Sequence, residues 1–480
     1  MKDRLLTTRD YLKSKGATYA DIRYVRTTTE SVKVSNETVD TLARDLDQGF
    51  GVRVLADGAW GFASSAICTL GEMRKVAARA LAIAHASALT KVRDVSLGPV
   101  EPVVGRYETP VAIDPFKVSL SQKINLLSSV NCILRKSPKI KVAEASMDFY
   151  RTEKIFVSTE GAIIEQVLTE SGAGYTATAV DAGEVQRRSY PNSHRGDYGT
   201  GGYELIERMN LKDHAERVRE EAVALLTAPV CPAGPRDIII GASQLALQVH
   251  ESCGHPTELD RVLGTEVSLA GASFLTLDQL GKLQYGSKIV NIVADATTPG
   301  GLGTFGYDDE GVPAQRADLV REGLFVGYLT SRETAPVIGR TPNGTMRADR
   351  WNRVPLIRMT NINLEPGDVS LDDLLVDSEG ALFLDTNTSW SIDDRRLNFQ
   401  FGVEAAWEIK SGRKGQLYKN ALYTGITPQF WNSCDAICHR DHWHVWGVPN
   451  CGKGQPMQTA RVAHGAAPAR FRNVTVGVSR

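Results

Sequence analysis

The stretch from Gln248 to Gly264, QVHESCGHPTELDRVLG, places the tightest condition on how this chain can fold. It holds His250, Glu251 and His255 within six residues. Imidazole is a zinc ligand, and a carboxylate beside it can act as general base. In the usual H-E-x-x-H signature the two His stand at i and i+4 on one helix face. Here the spacing is H-E-x-x-x-H. At about 100° per residue, His255 would lie roughly 140° around a regular helix from His250. Both rings reach one ion only if the helix is distorted or ends between them. Gly254 breaks helices, and Pro256 pushes His255 out of the α region. His250 and Glu251 are therefore expected on the last turn of a helix, with His255 in the turn that leaves it. The apolar run Leu245, Ala246, Leu247 and Val249 fits a helix packed into its domain. Two His leave a tetrahedral zinc site one protein ligand short.

That ligand must come from elsewhere in a chain of 480 residues, which is too long for one core. Two domains are expected, 1–228 and 236–480, divided by the Pro-rich APVCPAGP at 228–235. The fold class expected is α+β. In the first domain, 2–15, 70–89, 118–135 and 203–226 read as helices. Alternating runs between 20 and 64 and between 139 and 188 read as an antiparallel sheet with one solvated face. Asp57-Gly58 reads as a hairpin turn. After Gly264 the second domain is rich in strands punctuated by Gly and Pro. It predicts a large curved sheet or barrel around one metal-bearing helix.

Net charge is −1, which argues against a nucleic-acid partner. No 18-residue apolar run exists, so no membrane span is expected. The amino-terminal MKDRLLTTRDYLKSKG lacks the apolar core of a signal peptide, and the seven Cys are scattered. A reducing cytoplasm is the expected compartment.

For the third ligand the C-terminal segment offers Cys434, Cys438, His439, His442, His444, Cys451 and His464. Cys451 lies in a Gly-flanked turn, NCGKGQP, where backbone can approach an ion. A thiolate there would complete a His₂Cys site and leave a fourth position for water. The residues alone do not choose it over Cys434 or Cys438. The CDAICHRDHWHVW run (434–446) is dense enough in donors to form a second metal site. The acidic triplet Asp308, Asp309 and Glu310 sits among Gly and Pro and reads as a solvated turn. GGLGTFG (300–306) lacks the G-K-[ST] ending of a phosphate loop, so nucleotide binding is discounted. With zinc present, Glu251 would take a proton from the zinc-bound water and pass it to a leaving amine.

HESCGHPTELD (250–260), GTFGYDDEGVPAQRADLVREGLFVGYLTSRETA (303–335), RMTNINLEPG (358–367), NCGKGQP (450–456) and GFGVRVLADGAWGFAS (49–64) together resemble the TldD/PmbA family. That family was once described as modulators of DNA gyrase. The resemblance covers nearly the whole chain. It implies a zinc metallopeptidase with His250 and His255 as ligands, Cys451 as the third ligand and Glu251 as the base. It implies a homodimer, or a heterodimer with a PmbA/TldE-like subunit. It also implies an unfolded peptide substrate that pairs with a sheet edge, for which the polar alternation in 391–408 is suited. The alternative is a non-catalytic PmbA-like binding subunit of a heteromeric protease, a role for which Glu251 would have no use. The segment after Cys451, and Cys438 with His439, depart from the family pattern.

Overall fold

The computed structural model describes residues 1–269 and 271–478. Its amino-terminal half is built on an eight-stranded sheet. The path runs Ala59–Ser65, Thr38–Ala56, Tyr19–Ser35, Ile140–Ser158, Ile163–Asp181, Val104–Glu108. Two further strands, Glu184–Tyr190 and Asp197–Thr200, also pair with Ile163–Asp181. Runs that read as separate strands in the sequence are continuous: Tyr19–Ser35 is one strand of 17 residues. The expected 203–226 helix is instead two, Glu204–Arg208 and Leu211–Leu225. Asn210 between them takes a left-handed conformation (φ 47°), which no helix interior accommodates.

Strand alternation divides this sheet chemically. Along Tyr19–Ser35, Ala20, Ile22 and Tyr24 pack with helices Lys2–Ser14 and Leu70–Ala88. Further along the same face, Val32 and Val34 pack with helices Leu120–Leu134 and Leu211–Leu225. The opposite face carries Asp21 and Arg23, both buried. There the acidic triplet is met, and it is not a solvated turn. Asp308, Asp309 and Glu310 are 3–4% exposed. Arg53 donates to Asp21 (2.7 Å) and to Glu310 (3.1 Å), and Lys154 donates to Asp309 (3.1 Å). The charges are paired because burying them singly would cost several kcal/mol each. Composition gave no sign of this, since the partners lie 150 or more residues away in sequence.

The carboxy-terminal half closes on itself. Strands Gly234–Ile240, Leu382–Ile392, Asn398–Lys410, Ala421–Ile426 and Ala469–Val478 form a ring of five. One junction, Ile238 to Ile240 against Leu382 to Leu384, is parallel. Helix Ala242–Val249 follows the first of these strands directly, and every side chain from Ser243 to Val249 is buried. Leu245, Leu247 and Val249 share one core with Ile240, Leu384, Phe401 and Phe471. Two of its polar residues are joined inside: Gln244 donates to the Tyr423 hydroxyl (2.9 Å), which in turn donates to Gln248 (3.0 Å), while Gln244 Oε1 and Gln248 Nε2 stay buried without a partner. The helix that leads to His250 is thus buried within the barrel core.

Candidate metal and catalytic site

At its carboxyl end that helix does not stop. It widens into a π-helical turn, His250–Gly254, and then tightens into a 3₁₀ turn, His255–Thr257. In a π turn the hydrogen bond runs i→i+5, so residues five apart come back to the same side. This is how the H-E-x-x-x-H spacing is reconciled with one shared face. The His250 and His255 rings stand 4.8 Å apart and perpendicular.

Two details differ from the sequence reading. His255 keeps α-helical angles (φ −63°, ψ −42°) although it precedes Pro256. Gly254 is helical too (φ −56°), so it is not there to break the helix. A Cβ on Gly254 would come within 2.1 Å of the Met359 sulfur. Glycine is needed for that close approach.

Cys451 arrives from hairpin strand His444–Lys453, paired with Gln458–Ala466 and irregular in register between Val448 and Cys451. One donor atom each from His250, His255 and Cys451 fall within 4.8 Å of one another, and all three residues are buried. They are the only such group of His, Cys and acidic residues among the described residues. Cys451 Sγ is 3.6 Å from His255 Nε2. Of the other sequence candidates, His464 touches His250 without joining this group of three. Cys434 and Cys438 are buried thiols that burial pushes up, Cys438 to about 12. His442 accepts a hydrogen bond from the Leu371 amide, and His444 bonds Asp197 (2.6 Å). No second metal cluster forms among the described residues.

Surrounding groups fix the donors. His255 Nδ1 lies 3.0 Å from Glu258, leaving Nε2 toward the thiol. His250 Nδ1 lies 2.7 Å from His464 Nε2. Arg358 donates to Cys451 Sγ (3.1 Å) and to its carbonyl. Burial pushes His250 down to about 4 and lowers His255 as well. Burial alone would raise the Cys451 thiol, but His255 and Arg358 outweigh it and hold the thiol below its ordinary value. Against the same upward push of burial, Lys453 and Arg261 keep Glu258 well below the usual carboxylate range. Neutral imidazoles and an acidified thiol are the protonation states a zinc ion requires, so the donor set fits that ion. Glu258 stands at i+3 from His255 and Arg358 heads the RMTNINLEPG run, so both were visible as motif residues without a role. His464 was visible only as one donor among many.

His250, His255 and Cys451 line a cleft of about 500 Å³ with Glu251, Trp390 and Arg396. Glu251 is buried and ion-paired to Arg396. The cleft falls in the size range of small-ligand and substrate sites.

Comparison with known proteins agrees over nearly the whole length. Residues 20–84, 113–226 and 233–478 match the models described as PmbA/TldA metallopeptidase domain 1, central domain and C-terminal domain. A metalloprotease of Methanothermobacter thermautotrophicus is 29% identical over 96% of this chain and 95% of its own. A zinc metalloprotease TldD homologue of Saccharolobus solfataricus is 22% identical, covering 96% and 97%. Among solved structures, a Thermotoga maritima protein described as a DNA gyrase modulator superposes with a TM-score of 0.79 at 19% identity, over 99% of both chains. TldE of Thermococcus kodakarensis superposes with a TM-score of 0.75 at 16% identity, over 99% and 100%.

Proposed function

This chain belongs to the PmbA/TldD metallopeptidase family, and from that premise we propose that it is a zinc-dependent peptidase acting on extended or unfolded peptides. His250, His255 and Cys451 are the proposed ligands and Glu251 the proposed general base. The observation that carries the reading is the convergence of those three donors within 4.8 Å, beside Glu251, in one cleft. Zinc bound there would supply a Lewis acid for the carbonyl and a lowered pKa for an attacking water.

The chain's own residues do the rest. Glu251 takes the proton from the attacking water and delivers it to the leaving amine. Arg396 holds the Glu251 carboxylate in place. Glu258 and His464 fix the two imidazoles, so that each presents Nε2. Against burial, His255 and then Arg358 lower the Cys451 thiol's pKa and so favour the charged sulfur.

An extended substrate has a strand edge to join. Residues 385–392 of Leu382–Ile392 pair only with Asn398–Lys410 among the described residues, and Trp390, Ser391 and Ile392 line the cleft. Main-chain pairing there would accept varied side chains. In this proposal the 236–480 domain supplies the ligands and base. The 1–228 domain covers them, and the active assembly is a dimer with itself or with a PmbA/TldE-like subunit.

Zinc content and peptide cleavage test the reading together. The intact chain should carry one zinc and cleave denatured protein. Cys451→Ala should lose the metal, and Glu251→Gln should keep it while losing cleavage. Unchanged cleavage by Glu251→Gln would refute the proposal.

A further inference from the structure

The cleft has one wall that the ligands and base do not account for. His194 sits on it, and it comes from the amino-terminal half, on the segment between strands Glu184–Tyr190 and Asp197–Thr200. Its Nε2 is buried and bonded to no protein group, while part of the ring remains open to the cleft. The ring meets Trp390 edge-on at 5.8 Å.

The segment is held, not draped. The Asn192 carbonyl accepts from the Gly196 amide (3.0 Å), and Asn192 Oδ1 accepts from the His194 amide (3.4 Å). Gly196 turns at φ 106° so close to Ala173 that a Cβ would stand 1.8 Å from its carbonyl oxygen. Immediately after it, Asp197 accepts from the Gly447 amide (2.9 Å) and bonds His444 (2.6 Å). His444 and Gly447 belong to the strand that carries Cys451. The segment bearing His194 is therefore tied to the strand bearing the thiol.

The His194 ring borders the cleft, and its Nε2 is enclosed and bonded to no protein group, a costly arrangement for a polar atom. The other basic groups of the cleft are engaged: Arg396 with Glu251, His250 with His464 and His255 with Glu258. Peptide hydrolysis generates a specific need for one more donor. As the water oxygen bonds the carbonyl carbon, the π pair of C=O moves onto the carbonyl oxygen. The water proton goes to Glu251, and the new oxyanion is left to be stabilised.

We propose that His194 is a further catalytic residue, donating a ring N–H hydrogen bond to the carbonyl oxygen as it becomes an oxyanion. This assignment rests on the peptidase reading above. No proton is transferred; the imidazole acts as a neutral donor. Burial, followed by repulsion from His250, pushes its pKa down to about 4, which keeps it in that form at neutral pH. The amino-terminal half thereby supplies a group to the chemistry as well as a cover for it.

The test uses the zinc-loaded full chain, with His194→Ala and His194→Gln, a cleavable peptide and a peptide phosphinate that mimics the tetrahedral oxyanion. His194→Ala should retain zinc and KM within about twofold, lower kcat by about 100-fold, and weaken phosphinate binding by a similar factor. His194→Gln, which keeps an N–H donor, should recover part of both. If His194→Ala cleaves and binds phosphinate as the intact chain does, the assignment falls and the peptidase reading stands. Loss of zinc, or a KM rising with kcat unchanged, assigns His194 a structural or uniform-binding role and also overturns it. An intact chain that cleaves no peptide overturns both.

Discussion

His464 Nε2 stands 2.7 Å from His250 Nδ1, and His464 Nδ1 stands 3.2 Å from the Ile362 carbonyl oxygen. The carbonyl can only accept, so His464 donates from Nδ1 and its Nε2 carries the lone pair. His250 must then donate from Nδ1. Its Nε2 is left as a lone pair facing the other donors.

His464 accordingly sets the tautomer of His250, and its loss should be felt as metal affinity. His464→Ala should weaken zinc binding by about 10- to 100-fold without unfolding the chain. His464→Gln, which can still accept through its side-chain oxygen, should retain more. Competition with a zinc-responsive chelator reads this directly, and equal affinity in all three proteins would exclude the role.

Gly254 packs against the Met359 sulfur, where a Cβ has 2.1 Å. Gly254→Ala should destabilise the chain by about 1–3 kcal/mol as an overpacked core substitution. Adding Met359→Ala should relieve the clash, so the pair should be less destabilised than the sum of the two single changes. Urea unfolding of the four proteins decides it; strict additivity would mean that the Met359 contact is not the cause.

Arg53 joins the amino-terminal sheet to the buried acidic triplet through Asp21 and Glu310. Arg53→Met leaves two carboxylates buried without their cation and should cost about 3–5 kcal/mol. Glu310→Gln added to it should cost little more, because the partner is already lost. A loss under about 1 kcal/mol in denaturant unfolding would place this network among weak surface pairs instead.

The alternation of apolar residues made the amino-terminal sheet legible, because a strand with one face on helices and one face elsewhere must alternate. Barrel closure was less so. Strand Gly234–Ile240 joins Leu382–Ile392 and Ala469–Val478, and pairings over such separations leave no local mark. His250 and His255 announced a distorted helix, yet the π turn that provides it could not be foreseen from Gly254 and Pro256. The spacing shows only that a regular helix fails. On the residues alone Cys451 stood level with Cys434 and Cys438, and only the family resemblance singled it out; the hairpin is what brings it to His255. His194 and Arg396 gave no signal, since each reaches the cleft from a turn between two strands whose course leaves no local mark in the sequence.

His444 offers a pH-dependent reading of how the halves hold together. Burial lowers its pKa, but the hydrogen bond and charge of Asp197 outweigh this and raise it above the ordinary imidazole value. A raised folded-state value means the pair stabilises fully below the unfolded pKa and fades as pH rises through the folded one. The stability difference between the intact chain and His444→Gln should therefore be larger at about pH 5.5 than at about pH 8.5. Urea midpoints at both pH values test this, and a difference independent of pH would rule out a charged pair.

The order in which the chain is synthesised acquires a meaning from the barrel. Strand Gly234–Ile240 and the helix after it are made well before both strand neighbours, one beginning at Leu382 and the other at Ala469. His250, Glu251 and His255 are thus made well before Cys451 and before the last strand that encloses them. A chain made only that far holds the two imidazoles and the carboxylate but neither the Cys451 thiol nor a closed barrel. On this layout the three donors and the closed barrel come together only after the strand Ala469–Val478 has been made.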